Sequence, residues 1–319
     1  MSIEKISPFR LIPFFSSRPW GFKSLSPWYD IGQTTELIGE VWLSGDMCVA
    51  AEGQFSGDNF KEIVASNSQV ILGNCDRGID SPLLLKVIFA QEKLSVQVHP
   101  NDEMAQKHHN QPRGKTECWY ALDAEPGANV ALGLKDGTTK PAMLTAIEDG
   151  TLESLLTWLP MAKGDMVFVD AGTVHAIAPG AVLFECQQNC DLTYRLFDYG
   201  RGRELHLELG IEATQLKTDA GKVAPVPIPG GEQLIKTKYF SVQRRKGALA
   251  AIPADASRAG TISYLFVSKG EIGLSGPDFD SFPLGRGELA ILPAHSTEWQ
   301  LQDRTEAEVL LIQPVYEGQ

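Results

Sequence analysis

Gln97 and His99 stand one residue apart in the run Leu94-Ser95-Val96-Gln97-Val98-His99-Pro100-Asn101-Asp102. Glu117 follows in Gly114-Lys115-Thr116-Glu117-Cys118-Trp119-Tyr120, and His175 directly follows the glycine turn Gly172-Thr173-Val174. Two imidazoles, one carboxylate and a neutral amide oxygen make a ligand set suited to zinc, iron or manganese. An amide ligand adds no charge, so the ion stays a strong Lewis acid. Each residue alone has a plainer reading, since a single glutamate is usually a surface charge and a single histidine a satisfied loop or core residue. Their placement on successive strands favours the metal site. Arg195, in Phe184 to Arg203, would be costly near such a site unless it faced an anion, a phosphate or a developing enolate oxygen. Arg203 reads as a surface residue. His108 and His109 lie in the polar run Gln106 to Arg113, which reads as a solvated loop, and His206 reads as structural.

Strands must carry these groups. Side chains alternate on a strand, so Ser95, Gln97 and His99 share one face while Leu94, Val96 and Val98 share the other. Lys115, Glu117 and Trp119 do the same further on. Polar alternation alone equally fits a solvated outer face. Short runs rich in β-branched and aromatic residues, at 40–43, 93–99, 117–122, 129–134, 166–169 and 181–185, are punctuated by Gly, Pro, Asn and Asp and suit an all-β sandwich or barrel. The clearest helical interruption is Lys140 to Trp158, opened by Pro141 and broken at Asp149-Gly150, with Leu152, Leu155, Leu156 and Leu159 at helical spacing. Glu103 to His108 reads as a shorter helix.

Val223 to Gly231 (VAPVPIPGG) reads as a linker, and strand patterns resume after it at 239–243, 261–267, 271–274, 289–292 and 308–311. Lys163 to His175 can be laid beside Arg286 to His295: both run basic-Gly-acidic, then a buried strand, then a turn with Ala and a later His. This echo predicts two barrels of one type. His295 is out of step with His175 and nothing like Gln97-Val98-His99 precedes it, so the second barrel is expected to hold no metal.

At 319 residues, with 43% hydrophobic and 21% charged residues, the chain suits one large or two medium globular domains. A net charge of -12 argues against a nucleic-acid partner, although a few local basic groups can still hold a small anion. The most apolar stretch, Leu83 to Ala90, carries Lys86 and is too short to span a bilayer. No secretory pattern is read in Met1 to Lys5. Five cysteines without CxxC spacing read as reduced thiols, and the location as cytoplasmic.

LSVQVHPND, GKTECWY, DAGTVHAI and the stretch from Glu185 to Gly200 together resemble the class I mannose-6-phosphate isomerases in their short bacterial form. SPFRLIPFFSSRPWG and IGEVWLSGD add to a likeness that runs from about residue 8 to 205 and loosens through the second barrel. The resemblance implies a mainly β fold of two cupin-type jelly-roll β-barrels with a small helical insertion near 140–158. A catalytic domain would span 1–225, and a second, metal-free cupin domain 232–319. It implies one zinc ion per chain on Gln97, His99, Glu117 and His175, Arg195 as the catalytic arginine, and Lys115 and Glu185 as groups for proton transfer or substrate contact. Ser95 is a further candidate for the phosphate. The implied reaction interconverts mannose 6-phosphate and fructose 6-phosphate through a cis-enediol, with Glu185 or Lys115 as base. Two departures stand out: Phe22 where the family usually has a second Gly, and Asp170 where it usually has Pro. Three rivals remain at this point: an iron-dependent cupin oxygenase, a non-catalytic sugar-binding cupin, and the same isomerase acting on another aldose.

Overall fold

The apolar run Leu83–Phe89 is a strand with every residue buried, which requires both faces of its sheet to be covered. In the computed structural model, which describes residues 6–75, 80–246, 260–277, 279–296 and 299–315, that is its situation. The strand lies inside a seven-stranded sheet, between Ala181–Gln188 and Ile38–Trp42. One face of this sheet packs Trp119, Val167 and Leu183 against Val130, Leu132 and Ile177 of a five-stranded sheet. The other face packs Val87, Tyr120 and Phe184 against Val242, Phe266 and Leu310 of an eight-stranded sheet. That eight-stranded sheet in turn packs Leu265, Val309 and Leu311 on Ile272, Leu274 and Leu301 of a three-stranded one.

The molecule is therefore mainly β, two jelly-roll-like pairs of facing sheets whose large sheets stand back to back. Among the described residues neither pair closes into a continuous barrel. The seam is aromatic: the Phe184 and Phe266 rings lie 4.6 Å apart at 31°, and burying each such side chain contributes about 1.5–3 kcal/mol. Along Glu117–Ala124 the alternation separates the two cores, with Cys118, Tyr120 and Leu122 facing the seam and Trp119 and Ala121 facing the five-stranded sheet.

Several sequence expectations need adjusting. The helix that Pro141 opens covers only Lys140–Glu148, with Thr139 as its cap. The leucines beyond Gly150 form a 3-10 turn, Leu152–Leu155, and then a strand, Leu156–Pro160. That strand is the edge of the five-stranded sheet, paired with Asn129–Leu134; the pairing overrides a leucine spacing that fits a helix equally well. The proline-rich linker is bounded by a short strand that ends at its first residue, Gly221–Val223 on the seven-stranded sheet, and contains another, Val226–Ile228 on the eight-stranded one, so the crossing between sheets is confined to Ala224 and Pro225. Helices Phe60–Leu72 and Leu207–Ala213 were not anticipated. Helix Asp102–His109 includes both His108 and His109, with Asn101 capping it through Met104 N. No helix of the described residues is long and apolar enough to cross a membrane.

The N-terminal strand Phe9–Ile12 lies in the eight-stranded sheet, where Phe9 faces Ile291.

Candidate metal centre and its cavity

His175 opens the strand His175–Ile177 and lies opposite Gln97 of Val96–Val98, whose other neighbour, Tyr194–Phe197, sets Arg195 opposite Gln97 as well. Glu117 comes from the facing seven-stranded sheet, where it lies opposite Gln187. The two sheets thus bring residues far apart in sequence onto one spot. The ligand atoms of His99, Glu117 and His175, all three residues buried, lie within 4.8 Å of one another. His99 Nε2 is 3.6 Å from one Glu117 oxygen, His175 Nε2 is 3.6 Å from the other, and Gln97 Nε2 is 3.2 Å from His175 Nε2. Zinc donors at about 2.0–2.2 Å from the ion stand about 3.3–3.6 Å apart at the corners of a tetrahedron.

The protonation pattern fits a cation. His99 Nδ1 donates to the Leu192 carbonyl and His175 Nδ1 to the Thr173 carbonyl, each at 2.9 Å. Both Nε2 atoms therefore carry a lone pair; that of His99 is unmet, and that of His175 faces the Gln97 amide nitrogen at 3.2 Å. His99 Nε2 and both Glu117 oxygens are buried without a hydrogen bond. Glu117 Oε2 has the Lys115 ammonium 3.1 Å away, which leaves His99 Nε2 and Glu117 Oε1 as converging acceptors that each cost about 1–3 kcal/mol if left unmet. A cation satisfies both together. Gln97 presents its nitrogen to His175 while its oxygen accepts from Ser95 at 3.1 Å, so ligation through oxygen needs a half-turn of the amide.

Burial, with the Lys115 charge second, holds His99 well below its ordinary pKa, and burial, helped by the Lys115 charge and opposed by the Thr173 carbonyl, lowers His175 to about 4. Unfolding returns both to the usual range near 6.5. Between about pH 6.5 and 4 the unfolded chain therefore binds protons that the folded chain does not, and stability falls as pH falls. Metal-free protein is expected to lose about 3 kcal/mol across this window from His175 alone, measured by urea unfolding of chelated protein. A flat profile from pH 7 to 4 would contradict the buried neutral imidazoles.

Above this spot lies a cavity of about 420 Å³ lined by Gln97, Lys115, Trp119, Glu185 and Arg195, with Arg18, Trp20, Glu40, Lys86 and Asp191 opposite. All three expected catalytic residues reach it. Lys115 Nζ is 3.1 Å from Glu117 Oε2. Burial alone would lower its pKa, but the carboxylates of Glu117, Glu185 and Asp191 outweigh that and raise it. Glu185 accepts from Trp119 Nε1 at 3.0 Å. Burial first, then the Glu117 charge, pushes it up to about 7. Arg195 Nη1 donates to the Glu204 carbonyl at 2.8 Å, while its buried Nε has no hydrogen bond. Burial and the Arg203 charge lower its pKa.

The sequence reading missed Lys86 and, of its partners, Glu40 and Asp191. Lys86 is 2% exposed, with Asp191 at 3.1 Å and Glu40 and Glu185 each at 3.8 Å. Arg18 pairs with Glu40 at 3.0 Å. A lysine inside an otherwise apolar central strand was the available signal. Arg203, read as a surface residue, lines the cavity and stacks over Trp20 at 5.0 Å. His206 touches the site indirectly, accepting from Arg195 N at 3.2 Å. His108 and His109 bond elsewhere, to Glu212 and the Tyr194 hydroxyl. Leu94 lines the cavity against the expected alternation, because the regular strand begins only at Val96. Asp170 accepts from Thr173 Oγ1 at 2.7 Å and so braces the turn ahead of His175.

Residues 9–134 match the family model for phosphomannose isomerase type I, catalytic domain. The chain is 34% identical to the mannose-6-phosphate isomerase ManA of Bacillus subtilis over 312 residues, covering 92% of this chain and 95% of that one. The crystal structure of the mannose 6-phosphate isomerase from Bacillus subtilis superposes with a TM-score of 0.84 at 27% identity, over 96% of this chain and 99% of that one. A mannose 6-phosphate isomerase solved with zinc and yttrium bound has a TM-score of 0.76 at 16% identity, over 97% and 100% of the two chains. The mainly β, cupin-type fold expected from the sequence agrees with these likenesses.

Proposed function

The chain belongs to the type I mannose-6-phosphate isomerases, and we propose from that membership that it interconverts mannose 6-phosphate and fructose 6-phosphate through a cis-enediol, with one zinc ion in the cavity. The observation that carries this reading is the convergence of the unmet His99 and Glu117 acceptors with His175, beside Lys115 and Glu185 in a single cavity. Gln97, His99, Glu117 and His175 would hold the ion, which when bound supplies Lewis acidity toward the carbonyl and hydroxyl oxygens of the sugar. Zinc is chosen because a structurally similar isomerase was solved with zinc, and one ion because one such cluster occurs among the described residues.

The protein's own groups divide the proton work by charge. Glu185, pushed up to about 7, can take a proton near neutral pH and give it back, as a general base must. It removes the proton from carbon two of the open-chain aldose and returns it at carbon one, while the hydroxyl proton on carbon two passes to the oxygen on carbon one within the cis-enediol. Lys115, held protonated by its carboxylate neighbours, serves as a cation and hydrogen-bond donor to the sugar oxygens, which narrows the choice of base to Glu185. Arg195 brings an unused Nε–H to the negative charge of the enediolate. Arg195, with Lys115, is proposed for contact with the phosphorylated sugar, whereas Ser95 is buried, donates to Gln97 Oε1 and is not among the residues lining the cavity.

The proposal includes the catalytic unit over 1–225 and a second unit over 232–319, with Phe9–Ile12 and Val49–Ala50 lent to the second unit's sheet. It also places the enzyme in the cytoplasm, where its five buried free cysteines stay reduced. The oxygenase and the non-catalytic sugar binder find no support among the relatives, all described as mannose-6-phosphate isomerases.

A coupled assay on mannose 6-phosphate, with chelator and with added zinc, tests the reading: activity lost on chelation and regained with zinc is expected. Absence of turnover in zinc-loaded protein would overturn it. Arg195→Ala is expected to lower kcat about 10²- to 10³-fold, and near-normal turnover in that variant would remove Arg195 from the mechanism.

A further inference from the structure

Lys115 lies outside the regular strand, which begins at Glu117, yet all the backbone amides around it are held. Gly114 N donates to Asp102 Oδ1 at 2.7 Å, Lys115 N to the Pro100 carbonyl at 2.9 Å, and Thr116 N to Gln188 Oε1 at 3.0 Å. Gln188 Nε2 donates to the same Asp102 oxygen at 2.9 Å, so one carboxylate atom ties both supports together. A Cβ at Gly114 would lie 2.4 Å from the Pro100 oxygen and from the Asn101 backbone carbon. The segment therefore rests directly on the main chain ahead of Asp102. The other carboxylate oxygen accepts from the Tyr239 hydroxyl at 3.3 Å, and Tyr239 stands just before Phe240–Lys246 of the eight-stranded sheet.

We propose that Asp102 is a positioning residue for the isomerase centre: through Gly114 and Gln188 it fixes Lys115 in the cavity, and through Tyr239 it fastens that hold to the second pair of sheets. The proposal rests on the reading that Lys115 works on the sugar. Asp102 faces no part of the cavity lining and touches none of the four expected metal ligands, so its effect must pass through the 114–116 segment. A displacement of about 1 Å of a reacting group can lower turnover about 10²-fold.

The test is a double-mutant cycle on zinc-loaded protein, with kcat, KM, bound zinc and melting temperature read for Asp102→Ala, Lys115→Met and the double variant. Asp102→Ala is expected to lower kcat about 10- to 100-fold at unchanged zinc content. It should add no more than about threefold to Lys115→Met, because both act through one group. Asp102→Asn keeps an acceptor oxygen and is expected to restore kcat to within about fivefold of the parent. Full additivity, an unchanged kcat, or activity that falls in step with zinc would each overturn the role of Asp102. An unchanged kcat in Lys115→Met would instead overturn the reading of Lys115. If Asp102→Ala does not fold, Tyr239→Phe replaces it: a fall in kcat of about two- to fivefold at constant zinc supports the tie, and no change overturns it.

Discussion

His175→Ala is expected to leave a folded protein with turnover of mannose 6-phosphate lowered about 10³-fold or more, because Lewis-acid stabilisation of several kcal/mol goes with the ion. Bound metal, measured by elemental analysis after dialysis, is expected to fall in parallel. The stability readout separates this from simple misfolding. In the parent, His99 Nε2 and Glu117 Oε1 are buried without a partner, so zinc should raise the melting temperature, since a ligand that binds only the native state stabilises it. In His175→Ala that rise should shrink or vanish. A variant that kept full activity without bound zinc would remove the metal centre from the mechanism.

Glu185→Gln is the second large effect. A general base contributes about 10²- to 10⁴-fold, and kcat is expected to fall by that factor while zinc binding and KM change little. The carboxylate must be ionised to accept the carbon-bound proton, so parent activity rises as pH increases through the Glu185 pKa. That value is about 7 in the metal-free site, and a nearby dication favours the ionised form, moving the limb to lower pH. The limb should therefore lie below pH 7 in zinc-loaded enzyme and be missing from the residual activity of Glu185→Gln. Equal activity of variant and parent would eliminate Glu185 and return attention to Lys115.

Much of the cavity was legible because strand alternation is a local property. Gln97 could be set on one face with His99, and Lys115 with Glu117, from their neighbours alone, while the choice of an inward face and of Glu185 came from the family resemblance; the Asp149-Gly150 break ended the helix where the sequence placed it. What could not be read depended on pairing between distant strands. Lys86 meets Glu40, Glu185 and Asp191 because Leu83–Phe89 pairs with Ala181–Gln188 on one side and Ile38–Trp42 on the other, and sequence spacing carries no trace of that register. Leu156–Pro160 shows the opposite failure, a spacing that satisfied a helix while the sheet edge took the chain. Asp102 escaped notice because its partners come from residues 114, 188 and 239.

The pairing of Phe9 with Ile291 has a consequence for how the chain is made. The first strand leaves the ribosome about 280 residues before its partner exists, an interval of roughly 15 to 55 s at bacterial synthesis rates of about 5–20 residues per second. The seven-stranded sheet likewise gains its apolar cover only as Val242, Phe266 and Leu310 are made in turn. The N-terminal half cannot finish folding early and wait. A nascent chain of this enzyme presents a greasy surface until its cover from the eight-stranded sheet has been made, and a premature stop near residue 280 would leave that surface without the Ile291, Leu310 and Ile312 part of its cover.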